Sequence, residues 1–159
     1  NKINSLFSSI YMNVKLPYDI SYKVSFQPRY EFSKLYNFFP STTVTGGSTY
    51  KDGFATRVEG STFEWMLDHL VHWNKQFGMH QFDVTLLYSA EKVDTWESSL
   101  SNQSFNPNQS LGYHGIQFGS DHKVGANDTR ATGDAAMARL NYTLNDKDLF
   151  TASVRRDGY

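Results

Sequence analysis

The sequence predicts an all-β chain of about six long antiparallel strands, connected up and down as a segment of a transmembrane β-barrel. Three observations carry that prediction. Apolar and polar residues alternate over stretches too long for a small soluble sandwich. Short turns and long loops alternate along the chain. The face parity of neighbouring strands also agrees with the length of the turn between them.

Composition leaves this class open and closes several others. The chain has 159 residues, a formal net charge of −1 and no cysteine. The charge opposes a nucleic-acid-binding surface. Without cysteine there is no disulfide framework, thiolate zinc site or cysteine nucleophile. Mean hydropathy is −0.54, and no apolar run approaches the ~18 residues of a membrane helix. That profile looks soluble, yet 16% of the residues are aromatic. A barrel strand is polar on one face, so its average hydropathy is low even when it spans a bilayer.

The strongest alternation runs from Ile20 to Phe38, where eight of ten even positions are apolar or aromatic and eight of nine odd positions are polar. A period of two is a strand with one greasy face. At ~3.3 Å per residue the segment spans roughly 60 Å, whereas globular strands run about 3–10 residues. Upstream, Leu6–Leu16 puts Leu6, Ile10, Met12, Val14 and Leu16 on one face. Ser61–Gln76 sets Phe63, Trp65, Leu67, Val71 and Trp73 against Glu64, Asp68, His72 and Asn74. Gln81 to about Trp96 sets Phe82, Val84, Leu86 and Tyr88 against Asp83, Thr85 and Ser89. Ala135–Leu144 and Leu149–Arg156 alternate in the same way.

Pro17–Asp19, Gly78-Met79 and Asp146–Asp148 read as short turns, and 39–60 and 97–133 as long loops. Outer-membrane barrels have short periplasmic turns and long extracellular loops. Paired residues of a tight antiparallel hairpin share a face, so parity fixes whether each loop is odd or even. The three turns satisfy this, pairing Leu16 with Ile20, Trp73 with Val84, and Leu144 with Phe150.

Tyr22, Trp73 and Tyr142 lie on the greasy face near the short turns, as membrane-interface aromatics do. Lys34 and Lys92 share greasy-face parity but sit roughly 30 Å along tilted strands, above an apolar band of ~25 Å. His69 falls inside that band. Pro28 lacks the N–H of a ladder residue, and continued parity past it predicts one lost hydrogen bond with no bulge. On the polar face, Lys23, Arg29, Glu31, Arg139 and Arg155 are candidates for lining a wet lumen.

No catalytic or metal-binding arrangement emerges. His69 and His72 are three residues apart on a strand and point to opposite faces. His114 and His122, with Asp121 and Asp128, read as polar loop. Glu64 and Asp68 share a face at ~13 Å, beyond the ~5–9.5 Å of glycosidase pairs. There is no Gly-x-Ser-x-Gly elbow. Gly46-Gly47-Ser48 reads as a flexible loop rather than a phosphate cradle. The expectation is a non-enzyme with no cofactor and no metal.

The segment Ala138-Arg-Leu-Asn-Tyr-Thr-Leu-Asn-Asp-Lys-Asp-Leu-Phe-Thr-Ala-Ser-Val-Arg-Arg-Asp-Gly158 resembles a barrel hairpin of the SusC/RagA-like TonB-dependent outer-membrane transporters of Bacteroidetes. Lys75-Gln-Phe-Gly-Met-His80 followed by Phe82 resembles an upstream hairpin of the same family. The resemblance implies a barrel of about 22 strands in the bacterial outer membrane. It implies uptake of large nutrients, glycans or peptides, energised through TonB, with a SusD-like surface lipoprotein as partner. Outer-membrane lipid would meet the greasy face, and no nucleic acid is involved. The sequons at Asn108, Asn127 and Asn141 carry no weight in a bacterial chain. Residues 1–159 are then part of one barrel domain, with plug and remaining strands absent, and a piece of a longer chain is expected. A passive porin, a soluble carbohydrate-binding β-domain and an outer-membrane barrel enzyme are the alternatives.

Overall fold

The computed structural model describes residues 1–45, 52–105 and 110–159. Gly46, Gly47, Ser48 and Asn108 therefore lie outside the described residues. The strands are β1 (Lys2–Phe7), β2 (Ile10–Leu16), β3 (Ile20–Phe39), β4 (Phe54–Phe77), β5 (His80–Gln103), β6 (Lys123–Leu144) and β7 (Asp148–Gly158). A short 3-10 helix, Gly112–Phe118, sits between β5 and β6. All seven strands form one sheet, in the order β1-β3-β4-β5-β6-β7, with β2 also pairing β3. The antiparallel all-β prediction holds.

The predicted first strand is divided at Ser8-Ser9 into β1 and β2, both of which pair β3. The break lies opposite Pro28. Ser8 N donates to Pro28 O at 3.0 Å, and the reciprocal bond is the one a proline cannot make. β3 itself runs through Pro28 without interruption. The missing donor is expressed in the partner strand.

Strands β4, β5 and β6 extend well beyond their predicted ends, so the long connections shrink to 40–53 and 104–122. Ser98–Gln103 and Gly125–Gly133 are mostly polar on both faces. Period-two alternation disappears when both faces are polar, but backbone pairing needs no greasy face.

Register tests the parity argument. The β2–β3 pair places Leu16 opposite Ile20 and Met12 opposite Val24, as expected. The β6–β7 pair is corrected by two residues: Leu144 faces Asp148, Tyr142 faces Phe150 and Ala138 faces Val154. A two-residue shift preserves the faces, so parity alone could not detect it. Turn chemistry sets it. Asn145 and Asp146 adopt φ of 52° and 55°, left-handed values that Asn and Asp tolerate. Lys147 N then closes on Leu144 O at 3.1 Å, which starts β7 at Asp148.

The chain divides into two compact units. The first comprises Asn1–Leu6, Tyr30–Phe63 and Asp94–Thr129, and the second Phe7–Arg29, Glu64–Val93 and Arg130–Tyr159. The second unit holds all three short turns. Its greasy face has no cover among the described residues: Ile10, Met12, Phe26, Leu86, Phe150 and Val154 stay exposed. A soluble sandwich buries that face against a second sheet. The first unit holds both long connections and the small core of Ala55, Phe105 and Ile116, with Phe38 packed on it.

Candidate functional site

Strand alternation delivers one polar and one greasy face in the second unit, and each is organised by cross-strand contacts. On the polar face Asp83 of β5 is the hub. It accepts from His72 Nε2 at 2.8 Å, from Asn74 Nδ2 at 3.2 Å and from Asn141 Nδ2 at 3.3 Å. Thr151 Oγ1 donates onward to Asn141 Oδ1 at 3.0 Å, so one network crosses β4, β5, β6 and β7. A second rung joins Ser25, Asp68 and Ser89 across β3, β4 and β5. These side chains satisfy one another while keeping the face polar. The network was only half visible in the sequence, where Asp83 and Asn141 appear as polar-face residues without partners.

The proposed lumen-facing residues are dispersed. Lys23 Nζ lies 5.2 Å from the Tyr11 ring centroid, and Arg29 is 3.9 Å from Glu64 in a groove with Phe7 and Gln27. Arg155 pairs with Asp157 at 2.7 Å. It lines a separate cleft of about 280 Å³ with Asp68, Glu91, Asp134 and Tyr159. Arg139 lies opposite Ser153 in the β6–β7 register. Glu31 belongs to the other unit, on the odd face of β3.

The greasy face carries an aromatic row beside the short turns. Trp73 stacks on Phe82 at 6.4 Å, and Phe82 lies 5.1 Å from Tyr142. Trp73 Nε1 donates to Tyr18 O at 3.0 Å, and the Tyr142 hydroxyl meets His80 Nδ1 at 2.7 Å. Tyr22 is spent on His69. Its hydroxyl lies 2.6 Å from His69 Nδ1, and the imidazole sits between the Tyr22 and Tyr88 rings. A hydrogen-bonded imidazole flanked by aromatic rings is tolerable within an apolar band. His69 and His72 thus have different partners on opposite faces. His122 Nε2 donates to Gln117 O at 3.3 Å, and His114 packs on Tyr113. Among the described residues no group of three or more His, Asp or Glu could hold a metal.

No protein-family model matches the chain. Two curated relatives come from Formosa agariphila. TonB-dependent receptor P3 is 26% identical over 142 residues, 87% of this chain and 14% of that protein. TonB-dependent receptor P39 is 27% identical over 160 residues, 98% of this chain and 15% of that protein. Among solved structures, the RagAB peptide transporter superposes with a TM-score of 0.77 at 10% identity, over 98% of this chain and 17% of that one. The chain is similar to a stretch of barrel wall in the SusC/RagA-like TonB-dependent transporters. The RagAB peptide importer in its closed-closed state gives a TM-score of 0.67 at 12% identity, over 96% of this chain and 18% of that one. The chain thus spans about one seventh of the length of the curated relatives it matches. Its place is the bacterial outer membrane. No described helix is long and apolar enough to cross a membrane, and in a SusC/RagA-like wall the strands do so. The relatives carry the names of receptors and transporters rather than enzymes.

The first unit contains a charged cluster on β3 and β4, at the strand ends away from the short turns. Tyr36 donates its hydroxyl proton to Glu59, and Arg57 Nη2 lies 3.1 Å from the same carboxylate oxygen. The Tyr36 hydrogen bond, followed by Arg57 and the Lys34 charge, holds the Glu59 carboxyl below its usual range against the opposing effect of burial. A depressed carboxylate pKa gives stability that is present above the unfolded value and lost as pH falls through the folded one. Amide exchange around residues 56–60, corrected for intrinsic rates, should therefore accelerate below pH ~4. Glu59→Gln should abolish that acceleration.

Proposed function

We propose that the chain is part of the barrel wall of an outer-membrane active transporter importing large nutrients, glycans or peptides, with energy delivered by TonB. Residues 1–159 belong in this reading to one barrel domain, completed by further strands and a plug. The observation that carries it is the coincidence of two independent likenesses. The relatives are named TonB-dependent receptors, and the fold matches the RagAB peptide transporter over 98% of this chain. The exposed greasy face supports contact with outer-membrane lipid. On the polar face, Lys23, Arg29, Glu31, Arg139 and Arg155 would line the wet interior, and Tyr22, Trp73 and Tyr142 would mark the membrane interface on the side of the short turns. A SusD-like surface lipoprotein is the proposed partner at the cell surface. The chemistry required of this wall is passive: no residue forms or breaks a bond, and the polar networks keep a hydrated surface beside the moving substrate.

The test uses the full-length transporter in its cell. Uptake of labelled oligopeptides and oligosaccharides should stop when TonB is deleted and when a protonophore collapses the proton-motive force. Uptake that survives both treatments would identify a passive porin and overturn the active reading.

A further inference from the structure

The Glu59 cluster is tied to the connection between β5 and β6 through a single ring. Tyr36 gives its hydroxyl proton to Glu59, and its ring meets the Arg57 guanidinium at 4.8 Å and the Tyr113 ring at 5.1 Å and 44°. Tyr113 lies in the first turn of the 3-10 segment Gly112–Phe118. There His114 N closes on Leu111 O at 3.1 Å, and the His114 ring packs on Tyr113. The segment is two 3-10 turns in series, because Gly115, with φ −99° and ψ 26°, departs from helical geometry between them. All of these residues belong to the first unit.

The two turns are held by different physics. The second is anchored without charge: Ile116 is buried with Ala55 and Phe105, and the Asn102 carboxamide holds Ile116 O and Asp121 N. The first reaches the strands through Tyr113 on Tyr36, and through Gly112, which has no side chain to set against the nearby Phe38. Tyr36 is itself placed by ionic partners. A hydrogen bond to an ionised carboxylate is roughly twice as strong as a neutral one. Protonation of Glu59 removes that acceptor and its attraction to Arg57. On β3 and β4, Lys34, Tyr36 and Arg57 all favour the ionised carboxylate. Lys2 of β1, beside Lys34 and Tyr36, has the same sign. Glu97 of β5 lies across from Gly60, and so on the face opposite Glu59. His114 meets the cluster through Tyr113. We propose that ionised Glu59 latches the first 3-10 turn onto β3, and that acid releases this turn about Gly115 while the second stays seated. The connection then has a closed form at neutral pH and a half-open form in acid.

The experiment follows amide exchange in the full-length protein in detergent between neutral pH and pH ~3, corrected for intrinsic rates. In the parent, the His114 amide should lose at least ~10-fold in protection below pH ~4, the effect of weakening one charge-assisted hydrogen bond. The Gln103 and Asp121 amides, both held by Asn102, should keep theirs. Glu59→Gln should show the His114 loss already at neutral pH, with no further change in acid. Tyr36→Phe keeps the ring without the hydroxyl and should behave in the same way. Glu97→Gln, a carboxylate removed from the other face, should leave the acid response as in the parent. The parent titration needs no substitution, so it decides the matter if a variant does not assemble. His114 protection that is unchanged in acid, or equal in the parent and Glu59→Gln at neutral pH, overturns the latch. Loss of Gln103 and Asp121 protection together with His114 also overturns it, because the connection would then open as one piece.

Discussion

On the proposed barrel reading, the full-length protein carrying Leu86→Arg is expected to fail in assembly, while Thr85→Arg assembles nearly as the parent does. Leu86 lies on the greasy face of β5 between Val84 and Tyr88, and its side chain is exposed. It sits about seven residues from the Gly78-Met79 turn, which at ~45° tilt is roughly 15 Å, near the middle of the apolar band. A cation there costs ~2–4 kcal/mol, decreasing toward the interfaces. The adjacent Thr85 side chain points to the opposite face, where water accepts the charge. Denaturant titration of folding into lipid vesicles measures the difference, with the midpoint of Leu86→Arg well below that of Thr85→Arg. Equal midpoints would mean that the greasy face does not meet lipid. A matching pair at the membrane interface, next to Trp73, should show a much smaller contrast.

What the sequence reveals here follows the distance over which each physical signal acts. Alternation is a property of neighbouring residues, and it located six strand paths and the faces of Tyr22, Trp73 and Tyr142. Turn parity extended this to pairing and gave the β2–β3 register correctly. It failed in the last hairpin by two residues because registers two apart present identical faces. Only the left-handed preference of Asn145 and Asp146 separates them. The far ends of β5 and β6 were unreadable because a strand that is polar on both faces carries no periodic signal. The Asp83 network illustrates the remaining gap. His72 and Asp83 are eleven residues apart and Asn141 is fifty-eight beyond Asp83, so their meeting depends on registers that no local pattern contains.

The other large effect is expected where the sequence was silent, at Asn102 and Gly119. Asn102 is the one fully buried polar residue among the described positions, at 2% exposure. Its amide nitrogen donates to Ile116 O at 2.6 Å, and its Oδ1 accepts from Gln103 N at 2.9 Å and Asp121 N at 3.0 Å. One side chain thus ties the end of β5, the 3-10 helix and the entry to β6 over the Ala55–Phe105–Ile116 core. Asn102→Ala leaves three backbone groups without that partner, which costs roughly 1–3 kcal/mol for each one that stays buried and unsatisfied. Gly119 has an ordinary φ of −72°, so its role is space. A Cβ there would lie 2.4–2.6 Å from the Asn102 carboxamide atoms, which three hydrogen bonds prevent from yielding. Gly119→Ala should therefore cost at least the ~1–3 kcal/mol of core overpacking. Both variants should expose the 104–122 connection to limited proteolysis and accelerate exchange at the Gln103 and Asp121 amides, while the strands of the second unit stay protected. The two changes should not add, because Asn102→Ala removes the atoms that a Cβ at 119 would strike. The double variant should then behave like Asn102→Ala alone. Full additivity would show that Gly119 is required for some contact other than this one.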